Sequence, residues 1–263
     1  MLSINPSLLY TQIAMTLLRE QVFICLDCEA TGLDVATDAI IELAAVKFTF
    51  DSHLESFDSL IDPGQPIPEE SIKIHHITED MVKGKPKIKE VLPAFLKFID
   101  GHIIVGHGIK FDIDMLVKAA KNNQVQCHLE KQVIIDTLRL ARLYGQTSVN
   151  SLEILRKHFN ITSEGAHRAM NDVLVNIEVF KQLASSFKTT KQLLERLQKP
   201  IAMKTMPLGK YKGRLFGDIP TDYLTWAAHQ NFDQDLLFSL RTELKKRKKH
   251  PGFSQASNPF STL

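Results

Sequence analysis

"QVFICLDCEATGLD", residues 21–34, begins like a buried strand and then turns acidic. Val22 to Leu26 have the β-branched and large apolar character of a central strand, yet Asp27 and Glu29 follow at once. Successive strand side chains alternate faces, so Cys25, Asp27 and Glu29 share one face and Ile24, Leu26 and Cys28 the other. The two carboxylates then stand roughly 6–7 Å apart, the rise of two residues. Buried like charges that close are costly unless a cation lies between them. The alternative is a strand end where the acids meet water. The same alternation puts Cys25 and Cys28 on opposite faces, where they can share neither a disulfide nor a metal. Only one other cysteine exists, so a zinc site would lack ligands.

Outward from this strand, "AIIELAAVKFTF" (39–50) and "LESFDSLI" (54–61) predict two more strands separated by short Asp/Ser turns, an antiparallel meander. Helical segments are expected near Ile72–Ile77 and Ile88–Ile99. "IIVG" (103–106) predicts a fourth strand, followed by a helix from about Phe111, and "VIID" (133–136) a fifth, with helical periodicity continuing to about Phe187. Strands first, then strands alternating with helices, imply a mixed α/β sheet of five strands flanked by helices.

The chain's 263 residues, 44% hydrophobic and 24% charged, suit a soluble globular protein with one full domain and part of a second. A net charge of +2 provides no global field for a polyanion, so any nucleic-acid surface must be local. Residues 1–20 are mildly apolar with the first positive charge at Arg19, which is neither a secretory signal nor a membrane span and reads as an N-terminal helical extension. Three cysteines fit a reducing cytoplasm. The expected organisation is an extension (1–20), a main domain (21–187), a linker (188–205) in which "QLLERL" could be a short helix, a small basic α+β module (206–247) and a flexible tail (248–263).

Two further regions add acids to the strand pair. In "FDIDMLVKAAKN" the helical step of roughly 100° puts Asp112 within the apolar arc of Phe111, Met115, Leu116 and Ala119. Asp114 falls on the opposite face, able to pair with Lys118 four residues on. In "HRAMNDVLVNIEVFKQLA" the apolar face is Met170, Val173, Leu174, Ile177, Phe180 and Ala184, with Asp172 on its flank beside Asn176. His167, roughly 140° around from Asp172 on a straight helix, belongs better to the entering loop. There it could be a cap or surface residue, or reach a shared site. An oxygen-rich set with one imidazole suits magnesium or manganese. Two such ions clamp a phosphodiester in two-metal sites, and a neutral histidine is a sensible base near neutral pH.

These segments resemble the motifs of the DnaQ-like, or DEDDh, family of 3'-to-5' exonucleases, whose fold is ribonuclease H-like. "DCEATGLD" resembles the first motif, "GHGIKFDIDML" the second and "HRAMNDV" the third, in the family's order. "IHHITEDMV" (74–82) and "IIDTLRLAR" (134–142) resemble its connecting segments. The similarity spans about residues 21–186, and within the family is greatest to the proofreading (epsilon) subunit of bacterial DNA polymerase III and its stand-alone relatives. The resemblance implies that Asp27, Glu29, Asp112 and Asp172 bind two Mg²⁺ or Mn²⁺ ions and that His167 is the general base. It further implies that Thr31 and Leu33 hold the terminal nucleotide and that His107 and Phe111 serve substrate contact and packing. Gly108 departs from the family's usual Asn. The implied substrate is the 3' end of single-stranded DNA, in proofreading or repair, with a DNA polymerase and a sliding clamp as implied partners and no membrane. An exoribonuclease acting on RNA and an inactive nucleic-acid-binding relative are the alternatives. Retention of all four acids and the histidine weighs against the second.

"MPLGKYKGRLFGDIPTDYLTWAA" (206–228) resembles a small uncharacterised bacterial domain and lacks P-loop spacing. Its Lys210, Tyr211, Lys212 and Arg214 could track a single-stranded backbone with one aromatic for stacking, or form a basic turn between short strands. "QASNPF" (255–260) resembles a clamp-docking peptide at Gln255, Ser257 and Phe260, with Asn258 where an apolar residue is usual. A chance match in a polar tail is the competing reading.

Overall fold

The computed structural model describes residues 16–144, 147, 149–162 and 168–249. The N-terminal segment expected as a helix, His167, and the tail with "QASNPF" lie outside the described residues, apart from a short 3-10 turn at Leu18–Glu20. The described residues form two units, the first built from residues up to 141 and 151–198, the second from 142–150 and from 199 onward.

The first unit is a five-stranded mixed sheet in the order β3-β2-β1-β4-β5. β1 (Phe23–Ala30) pairs antiparallel with β2 (Ile40–Phe48), which pairs antiparallel with β3 (His53–Leu60). On its other side β1 runs parallel to β4 (Ile103–Gly106), and β4 parallel to β5 (Ile134–Asp136). β1 and β2 are buried on both faces, whereas β3 is largely exposed, with Glu55 and Asp58 breaking its apolar character. Charge on an edge strand blunts pairing with other chains.

Helices cover both faces. α1 (Glu69–His75), α2 (Glu79–Val82), α3 (Ile88–Ile99) and α4 (Lys110–Asn122) precede α5 (Thr137–Tyr144), α6 (Leu152–His158) and α7 (Ala169–Ala184). On one face Ile24, Leu26, Cys28, Leu43, Ala45 and Ile104 pack with Leu92, Phe95 and Ile99 of α3 and Met115, Leu116 and Ala120 of α4. On the other, Phe180 of α7 stacks edge-on to Phe23 and Phe48, with centroids 5.1 and 6.0 Å apart. Cys25 and Cys28 are therefore buried on opposite faces, as strand alternation requires. Leu174, expected on the apolar face of α7, is 36% exposed; Val175, Asn176 and Val179 are buried instead. The sheet takes a wider arc of this helix than its strongest apolar stripe suggests.

The stretch read as a linker contains α8 (Thr190–Gln198), whose Thr190, Leu193 and Leu197 are buried; this helix belongs to the first unit, and the residues from Lys199 onward belong to the second. In the second unit Met206, Phe216, Ile219, Leu224, Ala227, Leu236 and Leu240 form a separate core. It consists of α9 (Thr221–Ala227), α10 (Gln234–Lys249) and 3-10 turns at Gly209–Tyr211 and Phe216–Asp218. Its β structure among the described residues is one antiparallel bridge, Thr205 to Leu215, so the basic segment between them is a looped 3-10 turn and not a turn between strands. α10 continues through the basic run to Lys249, beyond the expected start of the tail at 248. Cationic side chains in the last helical turn face the negative end of the helix dipole, which favours the extension. No helix among the described residues is long and apolar enough to cross a membrane.

Candidate active site

Asp27 and Glu29 project from the C-terminal half of β1 onto the face covered by α7. Asn176 of α7 marks that face, donating through Nδ2 to Cys25 Sγ at 3.4 Å. Asp172, in the first turn of α7, completes a cluster in which one carboxylate oxygen each from Asp27, Glu29 and Asp172 lies within 4.8 Å of the others. This is a small acidic cluster able to coordinate a metal ion.

Asp112 comes from the other side of the sheet. It is buried at the start of α4, and its Oδ1 accepts the Cys28 backbone N–H at 2.9 Å. The helix-face argument for Asp112 and Asp114 thus holds: one is enclosed while the other is solvated. Asp114, however, pairs with Lys110 at 2.6 Å, not with Lys118, whose ammonium instead donates to the Asp38 carbonyl at 2.9 Å. A buried-edge carbonyl in need of a donor draws Lys118 away from the weak surface pair that local spacing offered it.

The electrostatics are those of acids crowded without a counter-charge. Burial, then the charges of Asp112, Glu29, Asp172 and Glu42, holds the Asp27 carboxyl well above the ordinary carboxylate range. Glu29 is pushed up to about 8 by burial and by Asp172, Glu42 and Asp112, with Arg168 opposing. Burial also raises Asp112 to about 6, against hydrogen bonds from the Cys28 thiol and backbone. A cation among these groups removes the penalty that raises them. With Cys25 and Cys28 buried and the clustered donors all oxygen, the residues fit a hard divalent ion.

One acid was not singled out in the sequence. Glu42 lies directly across β2 from Glu29 and is 1% exposed. Its carboxylate accepts Arg168 Nε at 3.1 Å and the Ala169 backbone N–H at 3.0 Å. It therefore caps α7 at the turn that carries Asp172 and pins the residue following His167. The signal was present, an acid inside the apolar run "IIELAAV", and it needed the same reasoning that "CLDCEA" received.

The remaining candidates separate by exposure. Leu33 is 87% exposed. Thr31 is fully buried, and its hydroxyl donates to Asp38 Oδ1 at 2.8 Å while accepting from Ala39 N–H and Gln65 Nε2. That hydroxyl ties down the loop that displays Leu33. His107 Nδ1 lies 3.0 Å from Thr137 Oγ1, which donates toward Asn176 Oδ1 at 2.6 Å, so His107 is linked through α5 to α7. Phe111 is half-buried against the α3–α4 core. Gly108 has φ +66° and donates its N–H to Asp136 Oδ1 at 2.8 Å. Asn is, after Gly, among the residues best tolerated in that left-handed region, so the departure at this position keeps the backbone geometry.

Comparison with known proteins agrees with this arrangement. The family described as "Exonuclease" matches residues 24–180, and the family described as "Putative quorum-sensing-regulated virulence factor" matches residues 192–245. The chain is 37% identical over 164 residues to the DNA polymerase III subunit epsilon of Aquifex aeolicus, covering 62% of this chain and 80% of that one. It is 33% identical over 196 residues to the PolC-type DNA polymerase III of Clostridium perfringens, of which it spans only 13%. Among solved structures, Exonuclease X in complex with 5' overhanging duplex DNA superposes with a TM-score of 0.52 at 24% identity, covering 66% of this chain and 98% of that one. Escherichia coli Exonuclease I in complex with a dA16 oligonucleotide gives 0.58 at 18% identity, covering 68% and 43%. Fold, motif order and relatives converge: the chain belongs to the exonuclease family, in its DnaQ-like, DEDDh branch.

Proposed function

We propose that this exonuclease removes nucleotides from the 3' ends of single-stranded DNA, in replication proofreading or repair, with two Mg²⁺ or Mn²⁺ ions. The observation that carries the reading is the convergence of Asp27, Glu29 and Asp172 inside the family match, with Glu29 pushed up to about 8. Asp27, Glu29 and Asp172 would hold one ion, and Asp27 with Asp112 the second. When bound, such ions activate water and stabilise the leaving oxygen. His167 accepts the proton of the attacking water, a role a neutral imidazole fills at near-neutral pH. Glu42 and Arg168 hold the turn next to it. Leu33 offers an apolar edge to the terminal base, and Thr31 acts by fixing its loop. DNA is preferred as substrate because of the likeness to the epsilon subunit.

The test is degradation of matched end-labelled single-stranded DNA and RNA with Mg²⁺ or Mn²⁺, alongside Asp27→Ala. Release of mononucleotides from the 3' end of DNA, abolished by chelator and by the substitution, is expected. Robust hydrolysis in excess chelator overturns the metal assignment, and faster turnover of RNA overturns the substrate.

A further inference from the structure

The second unit carries a surface that the acidic cluster does not use. Tyr211, Tyr223 and Trp226 form a row of rings, with centroids 4.7 Å apart between the tyrosines and 5.3 Å between Tyr223 and Trp226. Lys210 Nζ stands 5.5 Å and Arg214 Cζ 5.9 Å from the centre of the Tyr211 ring. Trp226 is 53% exposed although Leu224 and Ala227 on the same helix are fully buried. The core of the unit is complete without it, so burial does not explain an indole at this position.

The row sits on a braced frame. Gly209, at φ +71°, lies so close to Tyr223 that an added Cβ would stand 3.0 Å from its hydroxyl. Arg247 donates to the carbonyls of Phe216 and Gly217 and to Thr221 Oγ1, joining the second 3-10 turn to α9 and α10. Lys210, Lys212 and Arg214, in contrast, form no ion pair among the described residues, and over residues 204–229 they and Lys204 outnumber two carboxylates, Asp218 and Asp222. The exposed Trp226 indole, backed by the half-buried Tyr223 and Tyr211, lies in a segment whose cations have no carboxylate partner among the described residues, which complements a polymer of flat bases and phosphates. A proline-rich peptide would use the rings alone.

We infer that this surface binds single-stranded nucleic acid, a base stacking on Trp226 and phosphates lying against Lys210, Lys212 and Arg214. That its ligand is the strand whose end is hydrolysed rests on the function proposed above. Stacking platforms of this kind are sequence-tolerant. Three phosphate contacts on a single strand imply a log–log salt slope of about −2, hence about 15-fold weaker binding on going from 50 to 200 mM salt.

Trp226 is the chain's one tryptophan, so its emission reports on the surface directly. The experiment titrates full-length protein in chelator, which prevents hydrolysis, with oligo-dT or oligo-rU of about 10 nucleotides, within the span of known single-strand sites. Saturable, salt-sensitive quenching is expected. By anisotropy of labelled oligonucleotide, Trp226→Ala should bind about 5- to 100-fold more weakly, Trp226→Phe should retain most of the affinity, and Arg214→Ala should flatten the salt slope. Circular dichroism checks that each variant is folded. Unchanged emission at saturating oligonucleotide, or anisotropy unaffected by folded Trp226→Ala, overturns the inference, as does quenching by a proline-rich peptide alone. Quenching without any Mn²⁺-dependent hydrolysis supports the surface and refutes the proposed function. Normal hydrolysis of a dinucleotide with a silent Trp226 does the reverse.

Discussion

Glu29→Gln should stabilise the metal-free protein at alkaline pH while disabling it. Glu29 is held at about 8 against an ordinary 4.5 by burial and by the charges of Asp172, Glu42 and Asp112. A carboxyl raised in the folded state binds its proton more tightly there than in the unfolded chain. Its contribution to stability is therefore complete below the unfolded value and lost as pH climbs through about 8. Unscreened, that gap corresponds to about 4–5 kcal/mol. Glu29 keeps some solvent contact, which screens the repulsion and leaves about 2–3 kcal/mol. Urea unfolding in chelator, at pH 5 and pH 8.5, measures it. The variant should exceed the parent by about 2–3 kcal/mol at pH 8.5 and by less than about 1 kcal/mol at pH 5. Adding Mn²⁺ should narrow the alkaline difference, because a cation bound among the acids stabilises the parent more than the variant. A folded variant less stable than the parent at pH 8.5 in chelator, or a difference that does not change with pH, refutes the electrostatic account of the cluster.

Asp112→Asn should lower kcat by about a hundredfold or more, the loss of several kcal/mol of charge stabilisation. Asp114→Asn, which breaks only the surface pair with Lys110, should stay near normal; equal losses in folded variants contradict the face assignment. His167→Ala should slow turnover by about 10²–10⁴ with Mn²⁺ affinity intact by calorimetry, and a collapse of that affinity makes His167 a ligand instead. Glu42→Ala removes a cap and strands Arg168, so unfolding should show about 2–3 kcal/mol of destabilisation, together with weaker Mn²⁺ binding. Gly108→Asn should leave Tm and turnover close to the parent, since Asn accepts the left-handed backbone at φ +66° and only Leu138 Cδ2 comes within 4 Å of an added Cβ. A drop in Tm of more than a few degrees means that the Asp136 contact cannot be kept.

Much of this site was legible because two periods decide which side chains share a face. Strand alternation alone put Asp27 with Glu29 and parted Cys25 from Cys28, and the helical step separated Asp112 from Asp114. These are properties of neighbours in the chain, and packing had only to ratify them. Partner choice between distant segments is another matter. Glu42 became the cap of α7 because the β1–β2 register set it across from Glu29 and the fold brought Arg168 and Ala169 over it, 126 and 127 residues on. Thr31 lost its hydroxyl to Asp38, Ala39 and Gln65, and Lys118 left Asp114 for the Asp38 carbonyl. Tyr211, the one aromatic the sequence offered for stacking, joined Tyr223 and Trp226, which lie 12 and 15 residues on and did not stand out there. A hydrogen-bonding group takes the partner whose desolvation most needs satisfying, and burial, which sets that need, exists only once the chain has folded.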